Sequence, residues 1–374
     1  MADILYFARD TKVFIEIGSV IWEIPILDGF SFSQATNATE IAVNEMADTS
    51  GNSRRGRKVF NDSYAPAEWS FSTYMRPFVS AGTGGGAADD VLAHHSIEEV
   101  LWAMMVGDAV YTTNVTAPNV FTGIAGDTTD SDITFTSSNK TTLGTATIHF
   151  VLGACVGSNE AFYTISSSVV NEASIDFDID GIAQITWSGF GSLISEAASG
   201  PTATIYEDID ATDNYIRNRL TALTMTGSGS GNFESTYDIT LTGGNISINN
   251  NITYLTPETL CSVNQPIGHV TGTRTIGGNF TMYLNTDSAA TDKSADLFED
   301  LIESTTIVTN VFGLTFDIGG GSATPRVELV CTAAHLEIPQ HATDDIIGLD
   351  VNFHALGATI DATDELTIKY VGTA

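Results

Sequence analysis

Polar and apolar residues alternate along much of the chain. In FSFSQATNATEIAV, Phe30 and Phe32 fall on one side of an extended segment and Ser31 and Ser33 on the other. A period of two with one aromatic side predicts a half-buried antiparallel strand. EWSFSTYM repeats the pattern, with Trp69, Phe71 and Thr73 set against Ser70, Ser72 and Tyr74, after a long loop from Ala47 to Ala67. The spacing then turns helical in SIEEVLWAMM. Ile97, Val100, Leu101, Met104 and Met105 share a face, and Ser96 with Glu99 has the form of a capping box. IHFVLGA and AFYTISS predict a strand pair around a glycine turn. SIDFDID and QITWSGFG predict two more strands, with Ile175, Phe177 and Ile179 inward and Asp176, Asp178 and Asp180 outward.

The order recurs. GGNISINNN sets Ile246 and Ile248 where Phe30 and Phe32 stood, and a long loop from Leu255 to Gly277 follows. NFTMYLN takes the place of the Trp69 strand with Phe280, Met282 and Leu284, and SADLFEDLIE supplies a helix with Leu297, Phe298, Leu301 and Ile302 on one face. TFDIGGGSATPRVELV parallels the glycine-turn hairpin. HLEIP and LDVNFHALG parallel the last two strands, with Trp187 opposite Phe353 and Gly191 opposite Gly357. Six elements in one order, with long loops at the same places, predict an internal duplication; two unrelated β domains in tandem are the alternative. The expected boundaries are residues 1–195 and 215–360, with a polar, acidic linker over 196–214 and a C-terminal tail over 361–374.

Charge narrows the partners. The chain holds 46 acidic and 14 basic residues, a formal net charge of −32. Such a surface repels phosphates, which disfavours ordinary nucleic-acid binding. Halophilic adaptation would also give acidity, but here the imbalance comes more from missing lysine and arginine than from added acid. Against that background Arg54, Arg55, Arg57 and Lys58 place four of the 14 positive charges in five positions. No stretch of 18 or more apolar residues predicts a transmembrane helix, and the N-terminal segment has no signal-peptide pattern. Cys155, Cys261 and Cys331 are far apart without a CxxC, so neither a disulfide framework nor a zinc site is expected.

Catalytic patterns are weak. GSGSG at Gly227–Gly231 matches a nucleophile elbow only in letters, since it lies in a Gly/Ser run rather than between strand and helix. Asp176, Asp178 and Asp180 on one strand lack the glycine turn of a calcium loop. His94 and His95 point apart as neighbours, with no spaced carboxylate partner evident. GTGGG near Gly84 lacks the Lys-Ser/Thr of a phosphate loop. No catalytic residue, metal site or cofactor is expected. A secreted carbohydrate-binding or adhesive β-rich protein and a β-rich enzyme are the competing function classes. The first would show a signal peptide and exposed aromatic platforms, the second a clustered acid/base pair.

The strings ATNATEIAVNEM, SRRGRKVFNDSYAPAEWSFSTY, NISINNNITYLTPETL and PIGHVTG resemble the tail tube protein of long-tailed bacteriophages, of the T-five-like siphophage type with a duplicated tube domain. The resemblance covers most of Thr11 to Leu356. It implies a mainly β fold of two tandem β-sandwich domains, each with a flanking helix, whose inner sheets form one continuous β-barrel across a ring. It further implies homo-oligomeric rings of three chains with pseudo-sixfold symmetry, stacked into a virion tail assembled in the bacterial host cytoplasm. The family's partners would be a tape measure protein and tail tip and terminator proteins. Double-stranded DNA would pass through the lumen without specific binding, and no membrane is involved. The chain stops at Ala374, a short tail past the second domain, so the extra immunoglobulin-like domain of some relatives is not expected.

With this fold, alternation assigns the polar positions to the lumen: Ser31, Ser33, Ser70, Ser72, Asp176 and Asp178 in the first domain, and Ser247, Asn249, Thr281 and Glu337 in the second. Arg54, Arg55, Arg57 and Lys58 are expected at a contact between rings or subunits, where they meet an acidic neighbour.

Overall fold

The computed structural model of the 374-residue chain describes residues 5–41, 49–50, 58–79, 93–112, 120–135, 143–153, 160–204, 214–227, 233–261, 263–286, 293–303, 312–320, 325–343, 345–360 and 362–372. It is mainly β. In the first half, β1 (Lys12–Ile17) and β2 (Val20–Ile24) form a hairpin, and β3 (Ser31–Glu40) and β4 (Val59–Tyr74) form a longer one. β5 (Pro77–Val79) pairs with β6 (His94–Ser96) just before α1 (Glu99–Val106). The short strands β7 (Tyr111–Thr112), β8 (Val120–Phe121), β9 (Ile124–Gly126) and β10 (Ser131–Thr134) come next. β11 (Ala146–Leu152), β12 (Ala161–Asp178), β13 (Gln184–Gly191) and β14 (Ile194–Glu196) complete this half. The second half opens with β15 (Ala222–Thr226), β16 (Thr236–Asp238), β17 (Leu241–Asn249), β18 (Thr253–Leu255), β19 (Gly268–Val270) and β20 (Thr275–Tyr283). It ends with α2 (Ser294–Glu303), β21 (Phe312–Ile318), β22 (Arg326–Leu336), β23 (Gln340–Thr343), β24 (Ile347–Ala355) and β25 (Thr367–Val371).

β12 serves two layers. Its first part pairs with β11 and β14, and its last part with β13 and β17. β22 behaves alike, with β21 and β25 beside its first part and β24 at its end. β1 stands beside β11 as β15 stands beside β21. Gly153 and Gly319 follow β11 and β21 at φ of 77° and 105°, a conformation that glycine enters without steric cost. The strand order β3–β4–β13–β12–β17–β20–β24–β23 is antiparallel throughout and crosses from one half to the other at β12–β17. Among the described residues β3 pairs only with β4, and β23 only with β24, so the chain alone forms no closed barrel.

Aromatic rings join the layers. Phe32 stacks on Phe150 at 4.5 Å, and Phe316 meets Phe177, Phe280 and Phe353. Trp69, Phe71, Ile175 and Phe177 are buried, as their alternation predicts, while Phe30 and Phe32 are partly buried against the same core.

Several expectations are corrected. Ser96 belongs to β6, and α1 begins at Glu99 with no side-chain cap bond from Glu98, so the capping box does not form. Every residue of α1 is buried, so this helix has no solvent face. β25 closes over it, and Tyr370 accepts a 2.9 Å hydrogen bond from Trp102 Nε1. α2 is amphipathic, with Leu297 and Leu301 buried and Phe298 partly buried, but Ile302, expected on the same face, is exposed. AFYTISS and SIDFDID belong to the single strand β12, which ends at Asp178, so Ile179 is exposed in the following turn rather than inward. Part of the loop placed over Ala47–Ala67 is strand, since β4 begins at Val59. The stretch expected as a C-terminal tail holds, within its described residues 362–372, the core strand β25, with Ile368 and Tyr370 fully buried.

Candidate functional site

Strand pairing gathers the polar positions of the long sheet onto one face. One row reads Gln184, Asp176, Asn245, Asn279, Asn352 across five neighbouring strands. The next reads Ser72, Thr186, Ser174, Ser247, Gly277, His354. A third reads Ser31, Ser70, Ser188, Glu172, Asn249, Thr275, and a fourth Asp178, Gly243, Thr281, Asp350, Gln340. Ser33 lies opposite Glu68 on the same side, and Glu337 joins the first row by bonding Asn352. All ten positions assigned by alternation to the polar side therefore share one face.

The face is held by its own hydrogen bonds. Asn245 Nδ2 donates to Asp176 Oδ1 and, at 2.9 Å, to Ser174 Oγ, which ties the two halves at β12–β17. Ser247 Oγ donates to Glu172 Oε1 at 3.2 Å across the same seam. Asn279 Nδ2 donates to Asp350 Oδ1 at 3.2 Å, and Asn352 Nδ2 to Glu337 Oε2 at 3.0 Å. The bonds from Asn352 and His354 hold the Glu337 carboxyl below its ordinary range. Glu68, Glu172, Asp176, Asp178, Glu337 and Asp350 stand on this face, and no lysine or arginine is among the residues so paired. A shallow open trough of about 600 Å³ runs over its second half, between Asn245, Ser247, Asn279, Glu337, Asn352 and His354.

Glycines let the strands close up under that trough. A Cβ on Gly278 would sit 1.9 Å from the Asn245 carbonyl oxygen, and one on Gly244 would sit 2.6 Å from that of Asn279. Such positions admit only glycine and let a sheet bend.

The remaining sequence candidates resolve as structural. His95 Nδ1 lies 2.8 Å from Glu99 Oε2, both buried, and His94 Nδ1 accepts the Gly372 amide at 2.9 Å. Among the described residues no His, Cys, Asp and Glu group could hold a metal ion. Cys331 is buried, which pushes its thiol up to about 12, and Cys261 is exposed; Cys155 and most of the GSGSG and GTGGG stretches lie outside the described residues. Arg54, Arg55 and Arg57 lie there too. Lys58 is described: it is exposed, and its carbonyl accepts the Ile41 amide at 2.9 Å where β4 begins. Thr186, Ser188, Asn245 and Asn279 also stand on the polar face, beyond the ten expected positions, and the alternation around Trp187 and Ile246 carries their signal.

Fold and face together define a mainly β protein whose surface of interest is broad, acidic and polar, on a sheet with two open edges. No family model matches the chain. It is 32% identical to the tail tube protein pb6 of Escherichia phage T5 over 375 residues, spanning 96% of this chain and 75% of that protein. The chain belongs to the T5-type family of phage tail tube proteins and is a structural component of the virion tail. None of its described helices is long and apolar enough to cross a membrane.

Proposed function

We propose that the chain is the ring-forming subunit of a tail tube, contributing two tandem tube domains over residues 1–195 and 215–360, with β25 beyond them pairing to a strand of each. Three chains close a pseudo-sixfold ring, and the rings stack into a conduit. The observation that carries this reading is the β12–β17 seam, where seven residue pairs from Glu172–Asn249 to Asp178–Gly243 continue one sheet from half to half. The recurrence of the strand pairings in the two halves supports the tandem arrangement. β3 and the β22–β23 side are left as the edges at which the next chain would continue the sheet, and closure across chains removes edges that would otherwise aggregate.

In this arrangement the acidic face lines the bore. Like charge keeps double-stranded DNA off a wall that must release it. The role is structural rather than catalytic. Arg54, Arg55, Arg57 and Lys58 lie at a contact between rings or subunits, and tape measure, tip and terminator proteins complete the tail. Reconstruction of purified tubes by electron microscopy tests the reading: three chains per ring with the Ser70–Asp176–Asn245 face inward are expected, and six chains per ring would overturn it.

A further inference from the structure

The segment ahead of β15 straps the two halves together. The Ile216 carbonyl accepts the Ala183 amide at 2.8 Å, the Asn218 amide donates to the Gly181 carbonyl at 3.2 Å, and Arg217 bridges Ile182. Arg76 Nη1 donates to the Tyr215 hydroxyl at 3.3 Å, and Asn214 Nδ2 donates to the Pro77 carbonyl at 3.0 Å. The strap thus grips the β12–β13 turn and the end of β4, and Ile216 is only 1% exposed.

The same construction stands at the start of the chain. A 3-10 turn over Asn218–Leu220 leads through one residue into β15, and a 3-10 turn over Ala8–Asp10 leads through one residue into β1. Val13 and Ile15 pair with Phe150 and Ile148 as Leu223 and Met225 pair with Phe316 and Leu314. On this register Leu5, Tyr6 and Phe7 hold the places of Tyr215, Ile216 and Arg217. Yet they are 71%, 48% and 54% exposed.

The surface they would grip is also bare. Bulges in the same place, after Ala146 in β11–β12 and after Phe312 in β21–β22, set the two hairpins in one register. That register carries the Val170–Gly189 pair onto Leu336–Phe353, so that Gly189 rather than the expected Trp187 corresponds to Phe353, and the turn residue Ile182 falls onto Ile346. Ile346 and Ile347, at the β23–β24 turn, are 62% and 45% exposed.

We propose that Leu5–Phe7 is an intermolecular strap that lies across the β23–β24 turn of a second copy of this chain, as Tyr215–Arg217 lies across the β12–β13 turn within one copy. The proposal rests on the ring reading above and names the contact that fastens neighbouring chains. Apolar side chains stand exposed on both members, so their contact removes hydrophobic surface from water on each side. The two patches differ, one ahead of β1 and the other at the β23–β24 turn, which gives the heterologous contact that a closed ring repeats.

Cysteine pairing tests it in a chain with Cys155→Ser and Cys261→Ser. Phe7→Cys with Ile346→Cys is compared with the matching pair inside the chain, Arg217→Cys with Ile182→Cys. Oxidised tubes carrying the first pair should run as covalent dimers and trimers on a non-reducing gel, while the second pair leaves monomers closed internally. Monomers alone from the first pair, in tubes where the second pair closes, would overturn the strap. So would normal tubes from a Leu5→Ser, Tyr6→Ser, Phe7→Ser chain whose thermal melt matches the parent. Failure of the parent chain to form tubes at all would instead overturn the ring reading.

Discussion

The Tyr370 hydroxyl donates a 2.5 Å hydrogen bond to the buried carboxylate of Glu98 while accepting one from Trp102 Nε1 at 2.9 Å. This bond joins β25, near the end of the chain, to the N-terminus of α1. β25 also pairs with both β22 and β10, so it holds strands of the two halves together. The inner seam at β12–β17 is therefore backed by a second connection, and α1 is enclosed between them.

Glu98 makes that enclosure sensitive to pH. Burial pushes its carboxyl up to about 7 from an ordinary 4.5, against the opposing hydrogen bond from Tyr370. A folded-state value above the unfolded one means that the folded chain holds the proton more tightly. The stabilisation is fully present below pH 4.5 and is lost as pH rises through 7. The loss amounts to about 3 kcal/mol across that window. Urea denaturation of the parent and of Glu98→Gln should diverge over this range, with only the parent losing this contribution; parallel pH profiles would refute the assignment.

Removing the phenol should also be costly. Tyr370→Phe leaves both Glu98 and Trp102 Nε1 without their buried partner, which costs about 2–4 kcal/mol. The expected readout is a lower denaturation midpoint with an unchanged far-ultraviolet spectrum. A shift below about 0.5 kcal/mol, the ordinary range for a surface change, would mean that the network carries no stability.

How much of this was legible in the sequence depends on the range of the interaction. Trp69, Phe71, Ile175 and Phe177 were readable as core because strand alternation is local. Alternation alone splits β12 into two strands because its phase slips at Ser166 and Ser167, where two residues face Thr147 and Ser167 takes φ of 49°. A bulge moves later side chains to the other side and hides the continuity of the strand. The burial of α1 depends on Tyr370, which no local spacing could announce. The ten polar positions followed from alternation, but the rows that join Asp176 to Asn245 and Asn279 needed the pairing.

The close approach of β17 and β20 predicts a sharp glycine requirement. Gly278→Ala puts a methyl group against the Asn245 carbonyl, so the strands must part. Destabilisation of about 1–3 kcal/mol, the range for overpacking, is expected by chemical denaturation. Gly268→Ala meets nothing within 4 Å and serves as the near-neutral comparison. Equal effects of the two would show that the approach is not constraining.

Charge on the polar face should govern how DNA leaves. Asp178 is exposed on strand β12 and takes no part in the Asn245–Asp176 bond, so lysine there should leave the subunit folded and able to assemble. Tubes of that variant should retain DNA in low salt and release it as salt rises, since phosphate contacts weaken steeply with ionic strength. DNA retention equal to that of the parent, measured by co-sedimentation, would remove this face from the bore.

The basic loop poses the opposite case. Arg54, Arg55, Arg57 and Lys58 concentrate cations on a chain of net charge −32, and Lys58 is exposed where β4 begins. One exposed ion pair contributes roughly 0–1 kcal/mol, but four cations repeated around a ring act together on register and on encounter rate. Reversing all four to glutamate should abolish or slow polymerisation, followed by light scattering and negative-stain microscopy, while the isolated subunit keeps its melting temperature. Low salt is the discriminating condition, because surface charges are least screened there. A variant that polymerises at the parental rate in low salt would show that the loop's charge has no part in assembly.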